Sequence, residues 1–121
     1  MERSKINATE ISFISAHGTA TSFNDEMEAK AFHSSGFSKT PINSMKGYFG
    51  HTLGAAGVVE SVVSMMSLLN DVVVPTIGFT SLGVTSDVTI CENKITTKTN
   101  YCLKTASGFG GCNASIVFSK S

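Results

Sequence analysis

Two imidazoles, one lysine and one glutamate are the residues of this chain best suited to chemistry. Lys46 and His51 stand five positions apart in Lys46-Gly47-Tyr48-Phe49-Gly50-His51, directly before a long apolar stretch. His17 lies far upstream in Ala16-His17-Gly18-Thr19, and Glu60 falls inside the apolar stretch. Two neutral imidazoles aimed at one point form a double hydrogen-bond donor, which stabilises an oxyanion or enolate as its charge develops. An unpaired buried carboxylate is heavily penalised or takes up a proton. Glu60 therefore needs a cation, and Lys46 is the nearest in sequence. The set has no nucleophile. A serine or cysteine nucleophile needs an adjacent base and usually a sharp turn, and Cys91, Cys102 and Cys112 all lack that context. A third segment, Gly108-Phe109-Gly110-Gly111, is Gly-rich, but it joins two strand-like stretches. A phosphate-cradling loop runs into a helix, so nucleotide binding is not expected there.

These residues need elements to carry them. Ile11 to Ser15 alternates and is rich in β-branched and aromatic residues, so it reads as a strand. His17 then lies just past a strand end, where α/β folds place site residues; a satisfied loop histidine fits that position equally well. The polar loop Thr21 to Asp25 opens a helix. Asp25-x-x-Glu28 has capping-box spacing, and Asn24 is an alternative N-cap. Met27, Ala31 and Phe32 supply its apolar face, Gly36 its stop, and His33 a surface position near its C-terminus. Pro41 to Ser44 is a short strand candidate. Gly47 and Gly50 permit a tight turn. His51 then stands near the N-terminus of the next helix, where the dipole disfavours an imidazolium.

That helix is expected over about Leu53-Leu69. Gly54, Ala55, Ala56 and Gly57 admit another backbone closely. Val58, Val59, Val62, Val63, Met65, Met66, Leu68 and Leu69 cover most of its circumference, so burial between layers is expected. Val72 to Ile77 reads as extended, with Pro75 marking an edge or crossing strand. A loop over 78–87, a short strand at Val88 to Ile90 and a polar connection from Glu92 to Thr99 follow. Tyr101 to Ala106 and Ala114 to Phe118 form a hairpin around the loop Ser107 to Asn113. The order β-α-β-α-β-β-β-β describes a layered α/β unit.

The bulk numbers bound the rest. The chain has 121 residues, 41% of them hydrophobic, which suits one domain with a real core. Nine basic residues balance nine acidic ones, so neither a nucleic-acid nor a membrane surface is expected. Three cysteines without paired or metal-like spacing fit a reducing compartment. The charged start, Met1-Glu2-Arg3-Ser4-Lys5, has no apolar core of a signal peptide, and a cytoplasmic location is expected. The apolar run at 53–69 is shorter than the ~20 residues of a membrane span and contains Glu60. The first ten residues read as the tail of a preceding helix or loop, as in a piece of something longer.

Taken in order, Ala16-His17-Gly18-Thr19-Ala20-Thr21, Asp25-x-x-Glu28, Ser44-Met45-Lys46-x-x-x-Gly50-His51-x-Leu53-Gly54-Ala55-Ala56-Gly57-x-x-Glu60, Pro75-Thr76-Ile77 and Gly108-Phe109-Gly110-Gly111-x-Asn113 closely resemble the C-terminal half of elongating β-ketoacyl-acyl-carrier-protein synthases. These are condensing enzymes of the thiolase-like superfamily, and polyketide ketosynthases share the pattern. The resemblance covers about Ile11 to Phe118. It implies the C-terminal half of a layered α-β-α fold with a mixed sheet and a buried central helix, here one domain over residues 1–121. It implies a decarboxylative Claisen condensation of malonyl-carrier protein with an acyl thioester, without a cofactor or metal. His17 and His51 match the family's two donors to the malonyl thioester carbonyl. Lys46 matches the lysine that holds the second histidine, and Glu60 its acidic partner. Asp25 and Glu28 match a supporting polar network. Phe109 matches an aromatic gate, with Gly108, Gly110 and Gly111 around it, and Thr19 and Thr21 match the substrate loop.

The nucleophilic cysteine belongs to the family's N-terminal half, which is absent, so the isolated chain is expected to be inactive. Acyl carrier protein, the missing half or a partner subunit, and a homo- or heterodimer are the partners implied. Non-catalytic partners such as chain-length-determining subunits, or an inactive fragment, are the alternative; the intact His17, Lys46 and His51 favour an enzyme. Ser15 replaces a usual Asn, Thr105-Ala106-Ser107 replaces Asn-Ser-Phe, and Cys112 replaces Thr. Some members hold a cation in a network that includes the equivalents of Ser15, Glu28, Glu60 and Lys104-Thr105. The Lys104 ammonium is a candidate to stand in for it, although a solvent-facing strand lysine is the plainer reading and the one the sequence favours.

Overall fold

The computed structural model describes residues 4–120; Met1, Glu2 and Arg3 of the charged start lie outside the described residues. The first strand expected forms over Phe13–Ser15 (β1) and is buried throughout. A strand buried on both faces lies inside a parallel sheet, and β1 pairs in parallel with Pro41–Asn43 (β2) on one side and Tyr101–Ser107 (β6) on the other. Thr89–Ile90 (β4) extends the sheet beyond β2 in parallel. Asn113–Ser119 (β7) closes the other edge antiparallel to β6, making the expected hairpin. The order is β4-β2-β1-β6-β7, a mixed sheet. Val72–Val73 (β3) pairs with Ile95–Thr96 (β5), a strand inside the stretch expected to be a polar connection.

Alternation along β1 and β6 splits the core in two. Ile14 and Leu103 join Ala29, Phe32 and Phe37 on the face covered by the helix Ser22–Ser34 (α1). Phe13 and Cys102 join Leu68 and Val73 on the face covered by the helix Ala56–Leu69 (α3). The result is the expected α-β-α layering around a mixed sheet.

Three local features differ from the sequence reading. First, α1 starts at Ser22 with Thr21 as N-cap, a turn earlier than the Asp25 start. Asp25 and Glu28 do not cap it; their carboxylates reach back to main-chain amides of the His17 loop. The buried face of α1 is Glu28, Ala29 and Phe32, while Met27 is 42% exposed. Second, the stretch expected as a glycine turn is a one-turn helix, Lys46–Phe49 (α2). Gly47 tolerates helical geometry there, and it must be glycine because a Cβ would collide with the Ile77 side chain and lie 2.6 Å from its carbonyl oxygen. Third, the helix expected from Leu53 begins as a 3₁₀ turn over Leu53–Ala55. Leu53 has φ +52°, which an α-helix cannot accommodate.

The central helix α3 is present, but this chain buries only one side of it. That side is Ala56, Glu60, Ser64, Ser67 and Leu68, a stripe at helical spacing made mainly of small and polar residues. Val58, Val62, Met66 and Leu69 are 68%, 49%, 54% and 63% exposed. The sheet takes the polar stripe because Glu60 is anchored beneath it, and the apolar side faces out.

Candidate active site

β1 delivers His17 into the interior: Ser15, Ala16 and His17 are all buried, the imidazole at 6% exposure. Its loop is fixed by Glu28, whose carboxylate accepts the amides of His17 (3.0 Å) and Gly18 (2.7 Å). Asp25 accepts the amide of Thr19 at 3.1 Å. A Cβ at Gly18, which has φ +45°, would lie 2.7 Å from the Ser44 Cβ, so the loop packs against the end of β2 only with glycine there. The Ser44 hydroxyl donates to the Gly18 carbonyl at 2.7 Å, locking the His17 loop to the segment that starts α2.

α2 brings Lys46 to the same point. Its ammonium donates to the Glu60 carboxylate at 2.6 Å, to the His17 carbonyl, and to His17 Nδ1 at 3.3 Å. The pairing of Lys46 with Glu60 is as burial demanded, with side-chain exposures of 8% and 4%. The histidine it contacts is His17, however, and not His51 as the resemblance implied. The reason is positional: Lys46 opens α2 and points under the sheet end, whereas His51 follows Gly50, after the chain has turned away at φ +70°.

The hydrogen bonds settle both imidazole tautomers. An ammonium has only donors, so His17 Nδ1 must accept and the neutral ring carries its proton on Nε2. Burial, followed by the Lys46 charge, lowers the His17 pKa below its ordinary value and keeps the ring neutral at pH 7. The Leu53 amide donates to His51 Nδ1 at 3.1 Å, so the neutral His51 ring also carries its proton on Nε2. The two rings meet edge to face, centroids 5.2 Å apart at 82°. His51 is exposed on its outer side and precedes the 3₁₀ turn, not the N-terminus of α3.

Beneath Lys46, the Glu60 carboxylate is shared. Lys104 on β6 lies 2.6 Å from Glu60 Oε2 and is 2% exposed, so it is no solvent-facing lysine. Its ammonium donates to the carbonyls of Ser15 (3.3 Å), Ala16 (3.2 Å) and Thr105 (2.6 Å) and meets the Glu60 carboxylate as an ion pair. The Thr105 hydroxyl donates to Glu28 at 2.8 Å, joining the second acid to the network. A separate cation does not fit among these oxygens, because the ammonium already holds them. Strand alternation alone could not place Lys104; its burial follows from β6 lying beside the fully buried β1.

The remaining predicted residues fall into two groups. Thr19 and Thr21 share a 2.7 Å hydroxyl contact and line, with Ser44, Lys46 and His51, a cavity of about 590 Å³ beside the histidine pair. Phe109 is 92% exposed at the tip of the β6–β7 turn, where Gly110 and Gly111 both have φ +82°. No ring contact joins Phe109 to either histidine among the described residues. Cys102, fully buried, has its thiol pushed up to about 12 by burial, and Cys91 is raised by the same cause. Neither is a thiolate, in keeping with the absence of a nucleophile from the set. Asn24, read as an alternative N-cap, instead donates to Glu28 at 3.1 Å, and Ser44 and Thr105 support the loop and the second acid through the hydroxyl bonds described above.

Comparison with known proteins follows the same lines. The sequence profile of a family described as "Beta-ketoacyl synthase, C-terminal domain" matches residues 1–80. The 3-oxoacyl-[acyl-carrier-protein] synthase 2 of Vibrio harveyi is 33% identical over 125 residues, covering 99% of this chain and 30% of the relative. The crystal structure of a β-ketoacyl synthase from Burkholderia phymatum STM815 superposes with a TM-score of 0.94 at 29% identity, over 99% of this chain and 30% of that one. A structure of a type II polyketide synthase acyl carrier protein in complex with its ketosynthase bound to the hexaketide gives a TM-score of 0.91 at 31% identity, again over 99% and 30%. The chain thus spans about a third of the length of the proteins it matches.

Proposed function

The chain belongs to the β-ketoacyl synthase family, and from that premise we propose that it supplies the oxyanion-stabilising half of a site for decarboxylative Claisen condensation. A malonyl thioester on acyl carrier protein presents its carbonyl oxygen to His17 Nε2–H and His51 Nε2–H. As the C–CO2 bond breaks, its electron pair moves onto the α-carbon and the thioester oxygen, and CO2 leaves. Hydrogen bonds from the two donors to that oxygen strengthen as the charge grows. The enolate carbon then attacks an acyl thioester held on a cysteine, and the cysteine sulfur leaves as thiolate. That cysteine lies outside this chain, in the remainder of the family's length.

The observation that carries this reading is the pair of engaged Nδ1 atoms. An ammonium engages His17 Nδ1 and a backbone amide engages His51 Nδ1, which leaves Nε2 as the donor nitrogen of each neutral ring. Lys46 and Glu60 act as positioning residues, with Asp25 and Glu28 fixing the His17 loop. Thr19 and Thr21 line the substrate's approach. Phe109, on its glycine turn, is a mobile gate that completes the site once the rest of the enzyme is present.

Residues 1–121 act as one C-terminal domain, inactive alone. Acyl carrier protein as partner is supported by the complex formed by the similar ketosynthase. The outward apolar side of α3 supports association with the missing half, a partner subunit or a second copy. Three free thiols suit a reducing, cytoplasmic setting, and no described helix is long and apolar enough to cross a membrane.

The test is to combine this chain with a separately expressed N-terminal half and follow CO2 release from malonyl-carrier protein. His17→Ala and His51→Ala should each lower the rate roughly 10²–10³-fold, the cost of one oxyanion donor. Decarboxylation that survives His17→Ala unchanged would remove the donor role.

A further inference from the structure

We propose that Lys104 is a positioning residue for the histidine pair: its ammonium is a tethered cation that anchors Glu60, and through Glu60 keeps Lys46 on His17. This rests on the reading of His17 and His51 as paired donors. Lysine is almost never fully buried unless it is paired, yet Lys104 is 2% exposed in the middle of the sheet. Its nitrogen has four oxygens within 3.3 Å, drawn from three elements. Two are the carbonyls of Ser15 and Ala16, the residues that lead β1 into His17. One is Thr105 on β6, and the fourth is Glu60 on α3. Carbonyl oxygens around a point charge are what a small cation would collect; here the charge is delivered on a four-carbon stem.

The arrangement has a direct bearing on His17. Glu60 offers one oxygen to each lysine, Oε1 to Lys46 and Oε2 to Lys104. With an ammonium against each oxygen the carboxylate is held from two sides, which keeps Lys46 beneath His17 Nδ1. The charged groups facing this point are Lys46 from α2, Glu60 from α3, Lys104 from β6 and Glu28 from α1, two of each sign. His51 adds no fixed charge while its ring is neutral. Burial pulls the Lys104 pKa down and Glu60 opposes that pull. Removing the Lys104 charge leaves three carbonyls without their donor. It also leaves Glu60 under-compensated, and a freed carboxylate near His17 favours the imidazolium. The donor Nε2–H would then belong to a cation, and the ring would be freer to turn.

The experiment compares the full chain carrying Lys104→Ala, which opens the cage, with Lys104→Met, which fills it without charge. Thermal unfolding and ring-nitrogen NMR are recorded in choline, sodium, potassium and ammonium chloride at matched ionic strength. With only three histidines the His17 signal is readily assigned. In choline, K104A should melt well below the wild type, with the His17 pKa raised. Ammonium or potassium should recover part of both changes in K104A, and neither in K104M nor in the wild type. A His17 titration in K104A equal to that of the wild type would overturn the proposal. So would a response of K104A that is the same in every salt, including failure to fold in ammonium, or a K104M with wild-type stability and His17 titration. None of these readouts involves condensation, so loss of the proposed activity would leave the positioning role standing, and the reverse holds too.

Discussion

At the residue scale the site is a matter of where protons sit. Lys46 spends all three of its N–H bonds, on the His17 carbonyl, His17 Nδ1 and Glu60. Lys46→Met would leave the buried Glu60 with Lys104 alone and free His17 Nδ1. Breaking one partner of a buried pair costs about 3–5 kcal/mol, and denaturant titration of the mutant should show a loss in that range. The His17 pKa carries a second expectation. It is lowered in the folded state by burial and by Lys46, so below an ordinary histidine pKa the unfolded chain binds the extra proton. Stability therefore falls as pH drops through about 6.5 toward the folded value. Urea unfolding at pH 7.5 and 5.5 should give a larger loss for the wild type than for His17→Gln. Equal losses in the two proteins would show that His17 is not held neutral.

At the element scale, glycine decides how α2 and α3 pack. Within helices, glycine to alanine normally stabilises by about 1 kcal/mol. Gly57→Ala in α3 should do so, since nothing lies within 4 Å of the added carbon. Gly47→Ala in α2 should destabilise by roughly 1–3 kcal/mol, because the Ile77 backbone stands in the way. Chemical denaturation of the pair tests both signs. The same elements show what the sequence could convey. The strands that carry His17 and the hairpin were legible because β-branched and aromatic residues alternate there, and the Lys46–Glu60 pair was legible because a buried acid requires a cation. α2 was not, since glycines at both its second position and its end read as a turn, and the close approach of Ile77 is a tertiary fact. The contact of Lys46 with His17 in place of His51, and the burial of Lys104, likewise depend on how β1, β6 and α3 stack, which no local pattern encodes.

At the scale of the whole molecule, two cores flank one sheet, but the outer side of α3 has no cover among the described residues. Val58, Val62, Met66 and Leu69 form a contiguous apolar side, large for a surface that must meet water. Static light scattering over a range of concentrations should show self-association, which Val62→Lys combined with Met66→Lys should reduce without lowering the melting temperature. A monomer at every concentration would count against an interface on this side. With the complementary half added, the same double substitution should weaken the complex.

The side on which α3 is buried also bears on how much of this chain a cell would contain. Chaperones and proteases recognise uncovered apolar segments, and they draw continuously on molecules that present them. A helix whose polar stripe faces in and whose valines and methionines face out presents such a segment even when fully folded. Covering that side, by whatever packs on it, removes the folded unit from that traffic. Its steady-state level would then follow how completely α3 is covered.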